Sequence, residues 1–556
     1  MKNGTEIIKK FAILCWNIPK YRHLLFLVLT VLILCTYGYY FGTFDQSSHI
    51  AFLKKNVDSS LFPNDYFFDL RTSHYSYFWL FFIPFYKMKI LEITMFLVYF
   101  ATTYLTFWAL WKLSKTLFQN PLTTLLATIT LAFPHIGFSG FPIFEFSMLN
   151  RTVVLPFELI AFRYYLKKKY AVTFLILGIL YNFHALSVHF ILAMIGVDMI
   201  ISFVKKRSIR SFFSIPLFFI TALPVLIWKF SHSGVQMSVQ WEWFNLLNIS
   251  TFFHLFNFFS LNNPLVIFLS VGGISTIILF FAAKNQIPKS DMHDVVTHFI
   301  YGGVLILLVQ FFATAFFPLT IIIQAQIVRI GTFLTLFAYL YMSHMISTIQ
   351  KTKSQFICYV IFLFLSFSPL LLLIYHFFWR SKIYIIKAAT LSIVALFFIT
   401  LFVFISLNVV HPGIHIWPEK TAFSDVQIWA KNNTSKDTVF LTPPSKWWLY
   451  DVEWRVISER STVSTLSELL EGAFDPSYIS YWKPRFEDVA PGALQKFKGD
   501  YIENLRITNE AYHHNSTDTF IALGKKYKAS YVVVEKSYRY DLPIVYENEE
   551  YSIYSL

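Results

Sequence analysis

The sequence predicts a polytopic α-helical membrane protein, of about 11–13 transmembrane helices by run length and loop charge, with a C-terminal soluble α/β domain. Three observations predict it. Of 556 residues, 56% are hydrophobic and only 14% charged, where a soluble chain carries about a quarter charged residues. Apolar runs of membrane-crossing length recur through the first three quarters of the chain. The charge balance then inverts near Trp417: residues 1–416 hold 30 Lys+Arg against 12 Asp+Glu, and residues 417–556 hold 16 against 20. A β-barrel would show short alternating segments instead. The basic excess sits in short loops, which makes it a topology signal and not a nucleic-acid footprint. The three cysteines, Cys15, Cys35 and Cys358, offer neither a disulfide framework nor a thiolate metal site.

The elements follow in order. The basic amino terminus, "MKNGTEIIKKFAILCWNIPKYRH", is expected on the cytoplasmic side. It shows no small-residue cleavage site before polar sequence resumes, so the run His23–Tyr40 reads as a first span rather than a signal peptide. Residues 41–90 form the first loop on the far side. Within it "YSYFWLFFIPFYKMK" is too short and aromatic for a span and reads as a helix lying in the interface. Further apolar runs lie at 91–111, 121–134, 152–166, 170–184, 186–203, 211–228, 264–283, 296–316, 327–346, 355–377 and 384–408. The loops "WKLSK", "RYYLKKKY", "KKRSIR", "KNQIPK" and "KTK" alternate as cytoplasmic loops should, but "WRSK" breaks the alternation. Counted strictly, the runs give twelve spans and a cytoplasmic tail. One misread run, with the aromatic segment 241–262 the first candidate, restores an odd count and a tail on the side of loop one.

In the tail, "DTVFLTPP", "RVISER" and "ASYVVVEK" read as strands and "PIVYENEEYSIYSL" as a closing hairpin. Residues 423–434 and 518–528 read as helices, the second with Asp518 as N-cap. Trp447 and Trp448 fit domain core or membrane interface better than sugar stacking.

The acids single out the chemistry. Four of the twelve in the body, Asp45, Asp58, Asp65 and Asp69, fall within 25 residues directly after span one. Asp58 reads as a solvated partner of Lys54 and Lys55. Asp45 lies about five residues past the apolar run, where a carboxylate is costly without a partner or a role. Gln46 and His49 share its segment, and Asp65 caps a turn or lines the same site. Glu145 lies in "HIGFSGFPIFEFSMLNRT", six residues before Arg151, and pairing with that arginine competes evenly with a direct role. Arg329, in "IIIQAQIVRIGTF" beside Gln326, needs an anion or a wet cavity in such apolar company, unless it reaches back to the interface. His184 stands at the junction of two runs. Glu158 with Arg163, and Asp198 with the "KKRSIR" loop, read as structural pairs.

The motif "FGTFDQSSHIAFLKKNVDSSLFPNDYFF", the many-span body and the tail segments "WAKNNTSKDTVFLTPP", "YKASYVVVEK" and "LPIVYENEEYSIYSL" together resemble the GT-C superfamily of integral membrane glycosyltransferases, in its bacterial polyprenyl-phosphate-sugar-dependent form. The resemblance covers nearly the whole chain through loose motifs. It implies a GT-C-like body in the cytoplasmic membrane with its site on the extracytoplasmic face. It also implies a polyprenyl-phosphate-linked sugar donor and a glycan, lipid or protein acceptor. Asp45 would be the general base and Glu145 a second catalytic acid. Gln46, His49, Asp65, Arg151, His184, Gln326 and Arg329 would contact substrate. Partial burial should tune the Asp45 carboxyl upward. No cofactor is called for: metal-using members carry an acidic pair at this place, and here Gln46 follows Asp45. A flippase for the lipid-linked sugar, a polymerase or ligase of such saccharides, and a structural membrane protein are the alternative readings. The flippase predicts internal pseudo-symmetry, and no repeat is visible.

Overall fold

The computed structural model describes residues 2–133, 135, 142–206, 208–232, 238–250, 264–348, 356, 359, 360, 363, 411–447 and 451–556. Most of the run 355–377, all of 384–408, the loops "KTK" and "WRSK", the end of the 241–262 segment and Trp448 lie outside them.

The body is helical. Helix α1 (Lys2–Asn17) hands over to α2 (Pro19–Tyr37) at Pro19, whose missing N–H suits a first helical position. Loop one holds α3 (Asp45–Val57) and, within the aromatic segment expected to be helical, a 3-10 turn at Phe78–Phe82 that runs into α4 (Ile83–Lys87). Then come α5 (Leu91–Phe118), α6 (Pro121–Thr130), α7 (Asn150–Leu166), α8 (Tyr170–Tyr181), α9 (Ala185–Lys206), α10 (Ile215–His232), α11 (Trp241–Ser250), α12 (Pro264–Lys284), α13 (Asp291–Phe316), α14 (Thr320–Gln324) and α15 (Gly331–Thr348). Among the described residues six helices are long and apolar enough to cross a membrane: Pro19–Tyr37, Leu91–Phe118, Ala185–Lys205, Phe212–His232, Asp291–Phe316 and Thr320–Thr348.

The body has two chemically distinct ends. At one, Lys115 lies over the Trp16 ring, Arg163 donates to Thr116, Lys168 reaches Asp291 and Lys284 reaches Asp294. Residues of the loops "WKLSK", "RYYLKKKY" and "KNQIPK", expected to be cytoplasmic, thus make their contacts at this end. At the other, loop one meets the ends of α7, α8 and α10: the Tyr77 N–H donates to Asn182 O, Asn150 to Phe183 O, and Tyr75 and Tyr77 pack on Trp228.

The tail is a small α/β unit. Its sheet runs β4–β3–β5–β7–β6, from β3 (Val439–Leu441), β4 (Ser461–Thr462), β5 (Ala529–Glu535), β6 (Ile544–Glu547) and β7 (Tyr551–Ser555). β3 pairs parallel with β4 and β5, while β5–β7 and β6–β7 are antiparallel. Strand β5 is buried on both faces. Val532 and Val534 pack with Phe520 and Leu523 of the helix Thr517–Tyr527, and Val533 packs with Phe423 and Val426 of the helix Ala422–Asn433. The expected hairpin is β6–β7. "RVISER" is not a strand: Trp454–Ser458 is helical, because Glu453 caps it by accepting the Arg455 N–H. Ser516, not Asp518, caps the last helix, its hydroxyl accepting from the Thr519 N–H.

The tail docks on loop one. A two-strand ladder pairs β1 (Tyr39–Tyr40) with β2 (Ile414–His415). Gly38, at φ +79°, makes the approach possible, since a Cβ there would meet the His411 carbonyl at 2.0 Å. Lys54 pairs with Glu459 at 2.7 Å and donates to Val456 O. Asp58 pairs with Lys436, not with Lys54 or Lys55 as expected from sequence proximity. The tail therefore lies against loop one.

Candidate functional site

The site forms where loop one turns into α3. Phe44 sits at φ +51°, ψ −143°, a conformation that costs a non-glycine residue about 1–3 kcal/mol and persists only when its surroundings fix it. Here they do. Phe44 O accepts the Ser47 N–H (2.8 Å), the Ser47 hydroxyl (2.6 Å) and the Trp447 indole N–H (3.2 Å). The Phe44 ring lies 5.0 Å from Phe146 and 5.1 Å from Trp447. Trp447 is thus core, as expected, but core of the joint between tail and loop. Gln46 is fully buried: its amide N–H donates to Met148 O and its oxygen accepts the Gly42 N–H. It ties loop one to the 142–149 segment and does not reach the recess.

These restraints set Asp45, first residue of α3, against Arg151, near the start of α7. Arg151 Nη1 donates to Asp45 Oδ2 at 2.8 Å. The same guanidinium forks onto Glu145, Nε to Oε1 at 2.6 Å and Nη2 to Oε2 at 2.5 Å. The Glu145–Arg151 pair expected from spacing is present, and Asp45 joins it. The side chains of Asp45, Arg151 and Glu145 are 30%, 19% and 12% exposed, so the triad is partly buried and most open to solvent at Asp45. Burial is the largest influence on the Asp45 carboxyl and pushes it up, but Arg151 and then Arg329 outweigh it and hold the group below the ordinary carboxylate range. The expected upward tuning is overturned for that reason.

Arg329 lies within electrostatic range of Arg151, Asp45 and Glu145. It sits in the first turn of the expected run 327–346, which is helical and is set off from the chain before it by a break. α14 ends at Gln324, Gln326 takes a left-handed conformation at φ +44°, and Ile327–Ile330 form a 3-10 turn before α15. The Val328 N–H exposed by the break is capped by Gln310 Oε1 from α13 at 3.1 Å. Gln326 is 4% exposed, and its amide oxygen has no hydrogen-bond partner among the described residues.

His184 faces Arg151, Arg329 and His49 from the α8–α9 junction. Its Nδ1 meets the Ser187 hydroxyl at 2.7 Å, and that hydroxyl donates to Glu158. Glu158 is therefore a partner of Ser187 and not of Arg163, whose Nε donates to Thr116. Asp198 likewise pairs inside the body, with the Tyr165 hydroxyl and His298 at 2.7 Å each, and not with the "KKRSIR" loop.

His49 lies one turn after Asp45 on the same face of α3 and stacks on Trp79 at 4.6 Å, 20°. Beyond it His74 contacts Leu70 O through Nδ1 (2.8 Å) and Glu471 through Nε2 (2.6 Å). Asp65 is drawn elsewhere. It caps a turn through the Phe67 N–H and pairs with Arg455 in a second, closed cluster. The structure thus brings Asp45, Glu145, Arg151, Arg329, His184 and His49 together, and leaves Gln46 and Asp65 in supporting positions. His74, Glu471, Ser187 and Gln310 escape a reading of the sequence because their partners lie on other elements, 397 positions away for the pair His74–Glu471. Among the described residues no group of three or more His, Cys, Asp or Glu is placed to hold a metal ion.

The His74–Glu471 contact makes the docking of tail on loop pH-dependent. Burial, the largest influence, opposes charge on both groups, yet each partner prevails: His74 is raised and Glu471 lowered from their usual values. Stabilisation from a raised imidazole is complete below its unfolded pKa and lost as pH rises through the folded value. Stabilisation from a lowered carboxyl is complete above its unfolded pKa and lost as pH falls through the folded value. The contact should hold best between the ordinary carboxylate and imidazole ranges. Melting of the detergent-solubilised protein across pH should decline on both sides of that window, and Glu471→Gln should flatten both limbs. Identical limbs in the two proteins would count against the contact as their source.

No protein-family model matches the chain, and no curated protein matches it.

Proposed function

We propose that the chain is an integral membrane glycosyltransferase of GT-C type that moves a sugar from a polyprenyl-phosphate-linked donor to a glycan, lipid or protein acceptor. The bilayer surrounds the helical body, with the basic end in the cytoplasm. Loop one and the tail face the outside, at what the resemblance implies is a bacterial cytoplasmic membrane. One observation carries the reading: an ionised Asp45, fixed by Arg151 and Glu145 in a recess at the non-basic end of the body, with Arg329 and two histidines facing the same point.

The arrangement matches what the reaction needs. The leaving group is a lipid phosphate, and planar guanidinium forks suit phosphate oxygens. Arg329 supplies a second cation within electrostatic range of Asp45, and Arg151 neutralises the acids beside it. The resemblance makes Asp45 the candidate base; held by Arg151, its carboxylate also suits the role of orienting the acceptor hydroxyl toward the anomeric carbon, with the proton going to a neighbouring group. Glu145 serves through Arg151, since both of its oxygens are bonded to that guanidinium.

The test is transfer of radiolabelled hexose and pentose from polyprenyl-phosphate donors in membranes that carry the protein. Wild type should transfer one of them, and Asp45→Asn should lose about 10²-fold or more. Undiminished transfer by the variant would remove Asp45 from the reaction. Wild-type membranes no more active than empty ones would remove the reaction itself.

A further inference from the structure

Resting on the glycosyl-transfer reading, we infer that His49 is the catalytic base: it takes the acceptor's hydroxyl proton, and Asp45 and Glu471 stabilise the imidazolium that forms. In the step, a His49 ring nitrogen receives the proton as the acceptor oxygen bonds to the anomeric carbon. The bond from that carbon to the phosphate oxygen breaks, and the lipid phosphate leaves with the electron pair.

The geometry separates His49 from the other candidates. Asp45 is already engaged, its Oδ2 accepting from Arg151 Nη1 at 2.8 Å. Both nitrogens of His74 are engaged, by Leu70 O and Glu471. His184 is engaged by Ser187, and an imidazolium there would face Arg151 and Arg329. His49 differs on each count. It is half-buried at the recess, and its ring nitrogens make no hydrogen bond among the described residues. Stacking on Trp79 fixes the ring plane while leaving the nitrogen-bearing edges open.

The charged and titratable groups that face His49 are Glu471, His74, Asp45, Arg151 and His184. Two carboxylates thus face the site where positive charge appears during proton transfer. Such an interaction grows between ground state and transition state, which is the requirement for catalysis. Burial, the largest influence, together with His74 and Arg151 outweighs Glu471 and Asp45 in the resting site and brings the imidazole down to about 4, so it is neutral at physiological pH.

The experiment compares the full-length wild type with His49→Ala and His49→Gln in the same membranes and with the same labelled polyprenyl-phosphate sugars. Both variants should lose about 10²-fold or more in transfer. Added imidazole should restore part of the loss in His49→Ala, where truncation leaves a ring-sized space on Trp79, and none in Asp45→Asn. Wild-type rates in either variant would overturn the proposal. So would a loss in His49→Ala that imidazole does not relieve while the protein melts as wild type does, because His49 would then serve only structure. Should His49→Ala melt early, His49→Gln decides: a loss supports the proposal and full activity overturns it. An inactive wild type would overturn the glycosyl-transfer reading and this assignment with it, an outcome distinct from an active wild type indifferent to His49.

Discussion

Replacing Arg455 by methionine is expected to cost about 3–5 kcal/mol of stability, the usual penalty for stripping the cation from a buried ion pair. The guanidinium is 1% exposed and faces three carboxylates: Asp65 of loop one at 2.6 Å, and Glu453 and Glu468 of the tail at 2.8 Å each. Their side chains are 2–4% exposed, so no solvent replaces it. Phe67 lies under the guanidinium, 4.5 Å from its centroid, and the Tyr478 hydroxyl donates to Glu468. Methionine fills a similar volume and leaves three acids without their cation, which isolates the charge effect from a cavity effect. Burial, the largest influence, already raises Glu453 and Glu468 from their usual values, with Arg455 pulling the other way. Without Arg455 both should rise further. For groups with raised folded pKa values, stability is present below the unfolded pKa and is lost as pH rises through the folded one. The variant should therefore be weakest at neutral pH and recover part of its stability near pH 4–5, the range of unperturbed carboxylates. Thermal melting of both proteins in detergent at the two pH values checks this. A deficit that does not shrink on acidification would mean that lost packing, not unpaired charge, accounts for the cost. Adding Glu468→Gln should restore part of the loss at neutral pH, because the two positions are in direct contact and their effects are not additive.

That cluster also marks the limit of what could be read from the chain. The long apolar helices were legible because their cause is local: a run of apolar residues of sufficient length specifies its own hydrogen bonding. Strand β5 was legible for a similar reason, as "YVVVE" is β-branched and buried on both faces. "RVISER" misled because its alternation is real but subordinate to Arg455, which must turn inward to meet Asp65 from 390 positions away. The break at Gln324–Ile327 was hidden for the same reason. Nothing local stops α14, and the freed Val328 N–H is answered by Gln310 on another helix. At the site, Asp45, Glu145, Arg151 and Arg329 were conspicuous because charge is rare in this body and costly there. Their existence was legible, and so was the Glu145–Arg151 pair, only six positions apart. The sharing of Arg151 with Asp45 was not, and that contact reverses the direction in which the Asp45 carboxyl is tuned.

Arg151 is accordingly where substitution should affect activity most. Arg151→Met is expected to lower sugar transfer by about 10³-fold or more, the scale on which a single arginine that manages phosphate-transfer charge is worth. Two losses combine. Asp45 and Glu145 lose the guanidinium that orients both, and a displacement of about 1 Å at a reacting group can cost about 10²-fold alone. The lipid phosphate would also approach two acids no longer neutralised by Arg151. Arg151→Lys keeps the charge but not the fork, and one ammonium cannot reproduce Nε and Nη2 on Glu145 together with Nη1 on Asp45. It should fall between wild type and Arg151→Met. The pH profile distinguishes this account from simple damage. Asp45 is held down in the wild type, so its ionised form is present above the unfolded pKa and is lost only as pH falls through the lower folded value. Removing Arg151 leaves burial, the largest influence, opposed by Arg329, so the carboxyl should rise. His49 should rise as well, since Arg151 is among the charges that lower it. The two groups titrate together, so the acid limb of the transfer rate reports the pair rather than either residue. That limb should move to higher pH in Arg151→Met and much less in Arg151→Lys. A limb unmoved in both variants, beside a reduced rate, would mean that Arg151 supports the fold of the recess without setting its charge.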